Sequence, residues 1–299
     1  MAASLAASVA LTVLKWFGFW LTGSVALLSD ALESVVHLLA VAFAAWSLEL
    51  ARKPPDRDHL YGHDKVAFFS AGVEGTLVVV AGLGILYAAL LRLARGESPA
   101  FLLVGALIAA VVVLVNATLG TVLLRIGHRS RNLVLVANGK HVLSDALTSG
   151  SVLGTLLAVH WTRWAALDPL VGLALAAVLV WQGAKLVRRA ASGLMDESDP
   201  ALDTLLRALL AEWVAENNAQ YHGLRHRRSG HLTWVDVHVL LPGRLSLEEA
   251  HRKVTELEQK IYRSLDGPAM VMTHLEPIEA HDGHHPGGDP GQQHLAGVR

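Results

Sequence analysis

The chain of 299 residues contains no cysteine. This absence excludes disulfide bonds, thiolate metal sites and cysteine nucleophiles, so any chemistry with a borderline-soft metal must use histidine. Charge is scarce as well: charged residues make up 17% of the chain and hydrophobic residues 53%, and the mean hydropathy is +0.41. The composition therefore indicates a polytopic membrane protein. The formal net charge is −1 with no concentrated basic patch, so we expect no nucleic-acid partner.

Six apolar stretches are long enough to cross a lipid bilayer as helices. They lie at roughly 3–21, 25–50, 66–93, 101–126, 133–160 and 168–187. Lysine and arginine concentrate in the segments that follow the second, fourth and sixth stretches. The positive-inside rule places these segments in the cytoplasm. We therefore expect a multi-pass protein of the cell (inner) membrane with both termini cytoplasmic.

The composition changes after Arg189, where a more polar segment begins. Its patterns predict a helix at about 200–217, strands at about 220–228 and 231–241, a helix at about 247–265 and a strand at 269–275. The predicted fold class is an all-α six-helix transmembrane domain plus an α+β cytoplasmic domain, an αββαβ open sandwich. The expected parts are residues 1–190, 196–278 and a disordered Gly/Pro-rich tail at 279–299.

Two of the apolar stretches carry a carboxylate and an imidazole four residues apart, Glu33 with His37 and His141 with Asp145. On a helix this spacing puts both groups on one face. Together they offer two nitrogen and two oxygen donors, the usual complement for tetrahedral Zn²⁺ or a similar first-row ion. Hydrogen bonding between helices would explain one polar residue per helix. Two matched pairs at membrane depth instead favour a metal site on an ion pathway.

Three further polar residues of the apolar stretches are of interest. Asp30 and Asn138 continue the same helix faces as the two pairs and are potential ligands. Glu74 lies in the third stretch, where it either hydrogen-bonds across helices or tunes a gate.

A polar segment between the second and third stretches contains Asp56, His59 and His63. Taken alone, this segment is better explained by a solvated polar loop than by a metal site.

The C-terminal domain collects histidines from four predicted elements. These histidines and one acid are His222, His238, His251, His274 and Glu276. Because side chains alternate along a strand, His238 is expected on one face of the strand, and Val235, Val237 and Val239 on the other. The convergence of these donors favours a metal site, with His226 and His231 as spare donors. The tail residues His281, His284 and His285 are expected to bind metal weakly or to be solvated.

These features together resemble the cation diffusion facilitator family, most closely its bacterial zinc/iron branch. The resemblance rests on six spans, the two ligand pairs, the Tyr-Gly-His-Asp-Lys motif at 61–65, Leu167-Asp-Pro169 and the histidine-bearing αββαβ domain, and it covers essentially the whole chain. It implies a homodimeric antiporter, not an enzyme, that exports Zn²⁺ or related divalent ions from the cytoplasm against inward protons.

The resemblance also implies a role for individual residues. It implies a transport site at Glu33, His37, His141 and Asp145, a second site at Asp56, His59 and His63, and a binuclear zinc site at His222, His238, His251, His274 and Glu276. It further implies a charge interlock between Lys65 and Asp196. Zn²⁺ is thus expected both as the substrate and as a structural or regulatory ion. The span-two pair departs from the family, whose pair usually ends in Asp rather than His.

Other classes of protein fit the sequence less well than a carrier. An intramembrane metalloprotease is disfavoured because His-Glu-x-x-His is absent and a four-ligand site leaves no open position for water. No Walker motif is present, which disfavours an ATP-driven pump. The alternatives left open are a metal-sensing membrane receptor without transport and a carrier selective for Fe²⁺, Co²⁺, Ni²⁺, Cd²⁺ or Mn²⁺.

Overall fold

Six long helices form the first part of the chain in the computed structural model, which describes residues 2–230 and 232–280. They are α1 (Ala2–Thr22), α2 (Val25–Ala51), α3 (Val66–Arg95), α4 (Leu102–Arg129), α5 (Leu133–Thr162) and α6 (Leu167–Leu194). All six are long and apolar enough to cross a membrane. The six predicted spans are therefore confirmed.

Glycines let neighbouring helices of this bundle approach closely. A Cβ added at Gly75 of α3 would lie 2.9 Å from the carbonyl oxygen of Gly183 in α6, and one added at Gly183 would lie 2.8 Å from the carbonyl oxygen of Gly75. Gly120 of α4 and Gly139 of α5 form a similar contact. In a membrane, where helices gain little from hydrophobic burial, such close packing is a main source of attraction between them.

A buried carboxylate caps the start of α2 from another helix. Asp168 of α6 accepts hydrogen bonds from the backbone N–H groups of Val25 (2.8 Å) and Ala26 (3.4 Å) and from the hydroxyl of Ser24. The first N–H groups of a helix have no partner within the helix, so a carboxylate there satisfies them and complements the helix dipole. The Leu-Asp-Pro motif thus joins the start of α6 to the start of α2.

The C-terminal part has the predicted αββαβ order. It consists of α7 (Pro200–Asn217), β1 (Gln220–Ser229), β2 (Leu232–Leu241), α8 (Leu247–Ser264) and β3 (Ala269–Pro277), followed by a 3₁₀ turn at Ile278–Ala280. The strand order is β1-β2-β3, with β1 antiparallel and β3 parallel to β2. Residues 281–299 of the predicted tail lie outside the described residues, and so does His231.

The core of this domain lies on one face of the sheet. Val235, Val237 and Val239 of β2 are fully buried against apolar side chains of α7 and α8. These side chains are Leu202, Leu206, Leu210 and Trp213 of α7 and Val254, Leu257 and Ile261 of α8. Both helices therefore cover the same face, and the opposite face of the sheet carries the alternating polar residues. This arrangement confirms the open sandwich.

The chain divides into two compact units. The first contains Met1–Glu49 and Phe69–Ala190, and the second contains Leu50–Phe68 together with the chain from Ala191 onward. The segment between α2 and α3 therefore belongs to the same unit as the αββαβ domain, although the sequence places it between two membrane spans.

Candidate metal sites

His37 of α2 and His141 of α5 lie against each other within the helix bundle. Their ring centroids are 3.8 Å apart and the ring planes are inclined by 27°. The Nε2 atom of His141 is buried and makes no hydrogen bond to any described residue. Buried polar atoms without a partner are rare in native structures. A pair of imidazoles with a free nitrogen is a suitable donor set for Zn²⁺ or a similar ion.

A cavity of about 150 Å³ opens beside the two rings, and Glu33, His37 and His141 form part of its wall. Since one water needs roughly 10–15 Å³, the cavity has room for an ion and several waters. Asp145 lies beside His141, with its Oδ2 atom 3.6 Å from Nε2 of that residue. The two helix-borne pairs are thus brought together. The ligand atoms of this site are more widely spaced than those of two other clusters among the described residues, in each of which one ligand atom per residue lies within 4.8 Å of the others. Both clusters are described below.

Asp30 shares a helix face with Glu33 but is engaged elsewhere. Its Oδ1 atom lies 2.6 Å from the ammonium of Lys15 in α1, and its Oδ2 atom accepts a hydrogen bond of 2.7 Å from Ser149 in α5. The ammonium of Lys15 also donates to Ser34 at 2.8 Å. Both carboxylate oxygens of Asp30 therefore have partners, and the residue ties α1, α2 and α5 together instead of facing the cavity.

Sequence reasoning missed two residues around this site and left a third undecided. The signal for Lys15 is that a lysine in an apolar span needs a counter-ion and that Asp30 is an acid in the next span. Gln182 of α6 lines the cavity, and no sequence pattern marks it. Glu74 lines the cavity too, a position that depends on how α3 faces the bundle.

Asp56, His59 and His63 come together in the segment between α2 and α3. One ligand atom from each lies within 4.8 Å of the others, and the two imidazole centroids are 4.5 Å apart. The Oδ1 atom of Asp56 accepts from the backbone N–H of His59 at 2.7 Å and of Asp58 at 3.0 Å. These hydrogen bonds, led by that from His59, lower the pKa of the Asp56 carboxyl. The carboxylate is thereby held ionised and in position to bind a cation.

The sheet register explains the cluster in the C-terminal domain. His222 of β1 pairs with His238 of β2, and His238 pairs with His274 of β3. Three imidazoles therefore stand side by side across the sheet, and Glu276, two residues after His274, points to the same face. Immediately after His222 the pairing shifts by a bulge at Gly223, whose φ of 61° is one that glycine adopts without strain.

Glu276 is the centre of this cluster. It is 8% exposed, and its carboxylate oxygens lie 2.6 Å from Nδ1 of His238, 3.4 Å from Nε2 of His222 and 3.8 Å from Nε2 of His274. Ligand atoms of His222, His238 and Glu276 all lie within 4.8 Å of one another. Two imidazoles and a shared carboxylate at this spacing fit a zinc ion. His251 is exposed on α8 and does not belong to this group of ligand atoms.

The segment between α2 and α3 is fastened to the C-terminal domain by a shared carboxylate. Asp196 lies 2.9 Å from the ammonium of Lys65 and 3.2 Å from the guanidinium of Arg227 in β1. Burial would raise the pKa of Asp196, but the hydrogen bonds from Lys65 and Arg227 outweigh it and hold that pKa below its usual value. The Arg227 guanidinium also lies 5.3 Å from the ring centroid of Tyr61 and 5.4 Å from that of Trp234. The Lys65–Asp196 pair is therefore formed.

His226, regarded as a spare donor, does not join the cluster of histidines. Its side chain is 3% exposed, and its Nε2 atom lies 3.5 Å from Oδ1 of Asp203 in α7. Because His226 is on the helix-covered side of the domain, it joins β1 to α7. The other residues considered as weak or spare donors, His231, His281, His284 and His285, lie outside the described residues.

Two family models match the chain. The model described as the cation efflux transmembrane domain matches residues 1–195, and the model described as the cation efflux protein, cytoplasmic domain, matches residues 205–278. An uncharacterized transporter of Synechocystis, sll1263, is 35% identical over 278 residues, which cover 92% of this chain and 89% of that protein. The cation-efflux pump FieF of Pectobacterium carotovorum is 26% identical over 278 residues, covering 92% and 91%. FieF of Klebsiella pneumoniae is 24% identical over 276 residues, again covering 92% and 91%.

Proposed function

The chain belongs to the cation diffusion facilitator family of multi-pass cation efflux transporters, and from this premise we propose that it exports Zn²⁺ from the cytoplasm in exchange for protons. We further propose that it acts as a homodimer in the cell (inner) membrane, with both termini in the cytoplasm. The observation that carries the proposal is the stacked pair His37 and His141, which joins α2 to α5 beside a cavity that Glu33 also lines.

The donor set of the membrane site supports a divalent ion as its cargo. The carboxylates of Glu33 and Asp145 balance two positive charges, and His37 and His141 supply neutral nitrogen ligands. A divalent ion in a water-poor bundle needs this balance, because an uncompensated charge in low dielectric is costly. Two nitrogens and two oxygens favour Zn²⁺ over harder ions such as Mn²⁺, which prefer oxygen ligands.

Competition between metal and protons follows from the same groups. An imidazole must be neutral to bind a metal, so a proton on the ring displaces the ion and metal binding releases the proton. A site that exchanges metal for protons on each side of the membrane is an antiporter.

The two groups outside the membrane spans are proposed as further zinc sites. His222, His238, His274 and Glu276 join the three strands of the sheet, so an ion bound there cross-braces the domain. Binding to the native form alone raises stability by RT ln(1 + [L]/Kd), about 2.7 kcal/mol at a hundredfold excess over Kd. We propose that this site reports the cytoplasmic metal load by favouring one arrangement of the dimer.

Transport is tested with purified protein in liposomes that carry a pH gradient and a zinc indicator. His141→Ala and Asp145→Asn should reduce zinc flux to background. Ser144→Ala is the matched control, because Ser144 precedes Asp145 on α5 and is exposed. Flux in Asp145→Asn equal to that of the control would contradict the assigned site. A wild-type protein that binds zinc without moving it would be a sensor.

Metal choice is tested at the span-two pair. His37→Asp replaces a nitrogen ligand by a hard oxygen, so Mn²⁺ flux relative to Zn²⁺ flux should rise. An unchanged ratio would mean that the ligand type at this position does not control selection. Repeating the wild-type measurement with Fe²⁺, Co²⁺, Ni²⁺ and Cd²⁺ decides whether another of these ions is the preferred substrate.

The sheet site is tested by the melting temperature of the full-length protein with and without zinc. His238→Ala with His274→Ala should remove most of the zinc-induced increase. A variant that ends at Glu279 serves as the control for the tail histidines. If the increase disappears in this truncated variant and survives the strand substitutions, the tail is the binder and the proposed sheet site is wrong.

A further inference from the structure

Glu74 is an acid of the helix bundle that the four-ligand site does not use. It is half-buried on α3 and lines the same cavity as Glu33, His37 and His141. Among the described residues it forms no hydrogen bond or ion pair. Ionisable residues within membrane spans are rare, face the bundle interior or a water-filled cavity, and commonly mark an ion pathway. Its freedom from partners argues against the simpler interpretation, in which Glu74 holds two helices together.

The helix packing next to Glu74 keeps it at the cavity. The following residue, Gly75, is in backbone contact with Gly183 of α6, where a Cβ would lie 2.8 Å from the Gly75 carbonyl oxygen. Gln182, which precedes Gly183, lines the cavity as well. The close contact between α3 and α6 therefore presents Glu74 and Gln182 to the cavity on neighbouring helices, and the Glu74 side chain is not needed for that contact.

Glu74 lies at about the same distance from the start of its helix as the proposed ligand His141 does on α5. Glu74 lies eight positions after Val66, the first residue of α3, and His141 lies eight positions after Leu133, the first residue of α5. At 1.5 Å per residue, each lies about 12 Å from the start of its helix, while Asp145 lies about one turn deeper. Both helices start at the end that the distribution of basic residues assigns to the cytoplasm.

We propose that Glu74 is a further metal-contacting residue of the membrane site, which binds the divalent cation in the cavity on the cytoplasmic side of Asp145. This inference rests on the proposed function, because it takes the cavity as the path of the ion. Glu33 and Asp145 already neutralise a divalent charge, so a third carboxylate is not needed in the final complex. Glu74 instead raises the local concentration of the cation and holds it against His141 before Asp145 completes the ligand set.

The test uses the natural absence of cysteine from this chain. Glu74→Cys creates a single thiol in the full-length protein, and its rate of reaction with a small water-soluble maleimide is measured at increasing Zn²⁺ or Cd²⁺. A thiolate that touches the ion prefers the softer Cd²⁺. Ala81→Cys is the matched control, because Ala81 lines the same cavity from the same helix and leaves Glu74 in place.

The expected result is a change in metal preference at position 74 alone. The concentration of Cd²⁺ that halves the reaction rate, relative to that of Zn²⁺, should be about tenfold lower for Glu74→Cys than for Ala81→Cys, a difference of about 1.4 kcal/mol. Equal ratios for the two variants, or a Glu74→Cys thiol that neither metal protects, would overturn the proposal.

A second variant measures the consequence for transport. Glu74→Gln keeps the size of the side chain and removes its charge. The KM for Zn²⁺ should therefore rise by about tenfold, with a smaller change in kcat, because the variant loses an interaction that binds the ion before the final complex forms. An unchanged KM would contradict the capture role. The maleimide assay needs no transport: if the wild type moves no ion while the Cd²⁺ preference appears, the proposed transport fails and the contact of Glu74 with the metal stands.

Discussion

Replacing Lys15 by methionine removes the positive half of the ion pair that is buried between α1 and α2. Lys15 and Asp30 are each 2% exposed, and the ammonium lies 2.6 Å from the Asp30 carboxylate. Methionine has a similar length and no charge, so the variant leaves Asp30 buried with only the hydrogen bond from Ser149. We expect a large loss of stability from this single change.

The magnitude follows from the burial of both groups. Removing one partner of a buried ion pair costs about 3–5 kcal/mol, because the other charge stays buried without compensation. Replacing both partners by neutral residues costs much less, since the desolvation of the two charges disappears together with their attraction. Lys15→Met should therefore destabilise the protein strongly, and adding Asp30→Asn should recover most of the loss. The coupling energy between the two changes should be about 2 kcal/mol.

The assay is the unfolding of the detergent-solubilised full-length protein, compared across the two single variants and the double variant. Lys185→Met is the matched control: it makes the same chemical change at an exposed position of α6, where the ammonium lies 5.3 Å from the Trp181 ring centroid and contributes about 0.5–1 kcal/mol. If Lys15→Met destabilises the protein no more than Lys185→Met does, or if Asp30→Asn gives no recovery, the inferred role of the pair is wrong.

Three other changes test parts of the fold. Gly75→Ala should separate α3 from α6 and reduce both melting temperature and zinc flux, whereas Gly84→Ala on the same helix, where an added Cβ meets no atom within 4 Å, should leave both unchanged. Lys65→Met should destabilise the protein at pH 7 by less than about 1 kcal/mol, because the pair is partly exposed. The pKa of Asp196 is depressed in the folded state, so this loss should vanish as the pH falls through that pKa; a loss that persists at low pH would contradict the ion pair. Ser246→Ala removes the capping box of α8 and should cost about 1 kcal/mol, and an unchanged melting temperature would show that the cap contributes nothing.

Local sequence signals predicted the bounds of several elements because the deciding contacts lie within a few residues. The helix predicted at 200–217 is Pro200–Asn217. Asp199 caps its first N–H groups, Pro200 favours the first turn, and Asn218 ends it in a left-handed conformation with φ 49°. The capping box of α8 and the alternation of β2 were readable for the same reason. Each depends on neighbours within four residues along the chain.

Spacing also identified which candidate ligands share a helix face, but not which residues each face contacts. The four-residue interval pairs Glu33 with His37 in any α-helix. The contact of His37 with His141 and the withdrawal of Asp30 to Lys15 depend on how α1, α2 and α5 rotate against one another. That rotation is set by tertiary packing, which includes contacts between residues more than a hundred positions apart such as His37 and His141, and no local pattern encodes it.

By itself, the sequence determined six spans, an αββαβ domain, and the pairing of carboxylate with imidazole on α2 and α5, because helix and strand periodicities are properties of consecutive residues. Only the tertiary structure decided that His222, His238 and His274 stand in register around Glu276, and that Glu74 lines the same cavity as His37 and His141. Strand register and helix orientation are settled by the burial of apolar side chains and the close approach of glycines across the whole domain, so they exist only once the chain has folded.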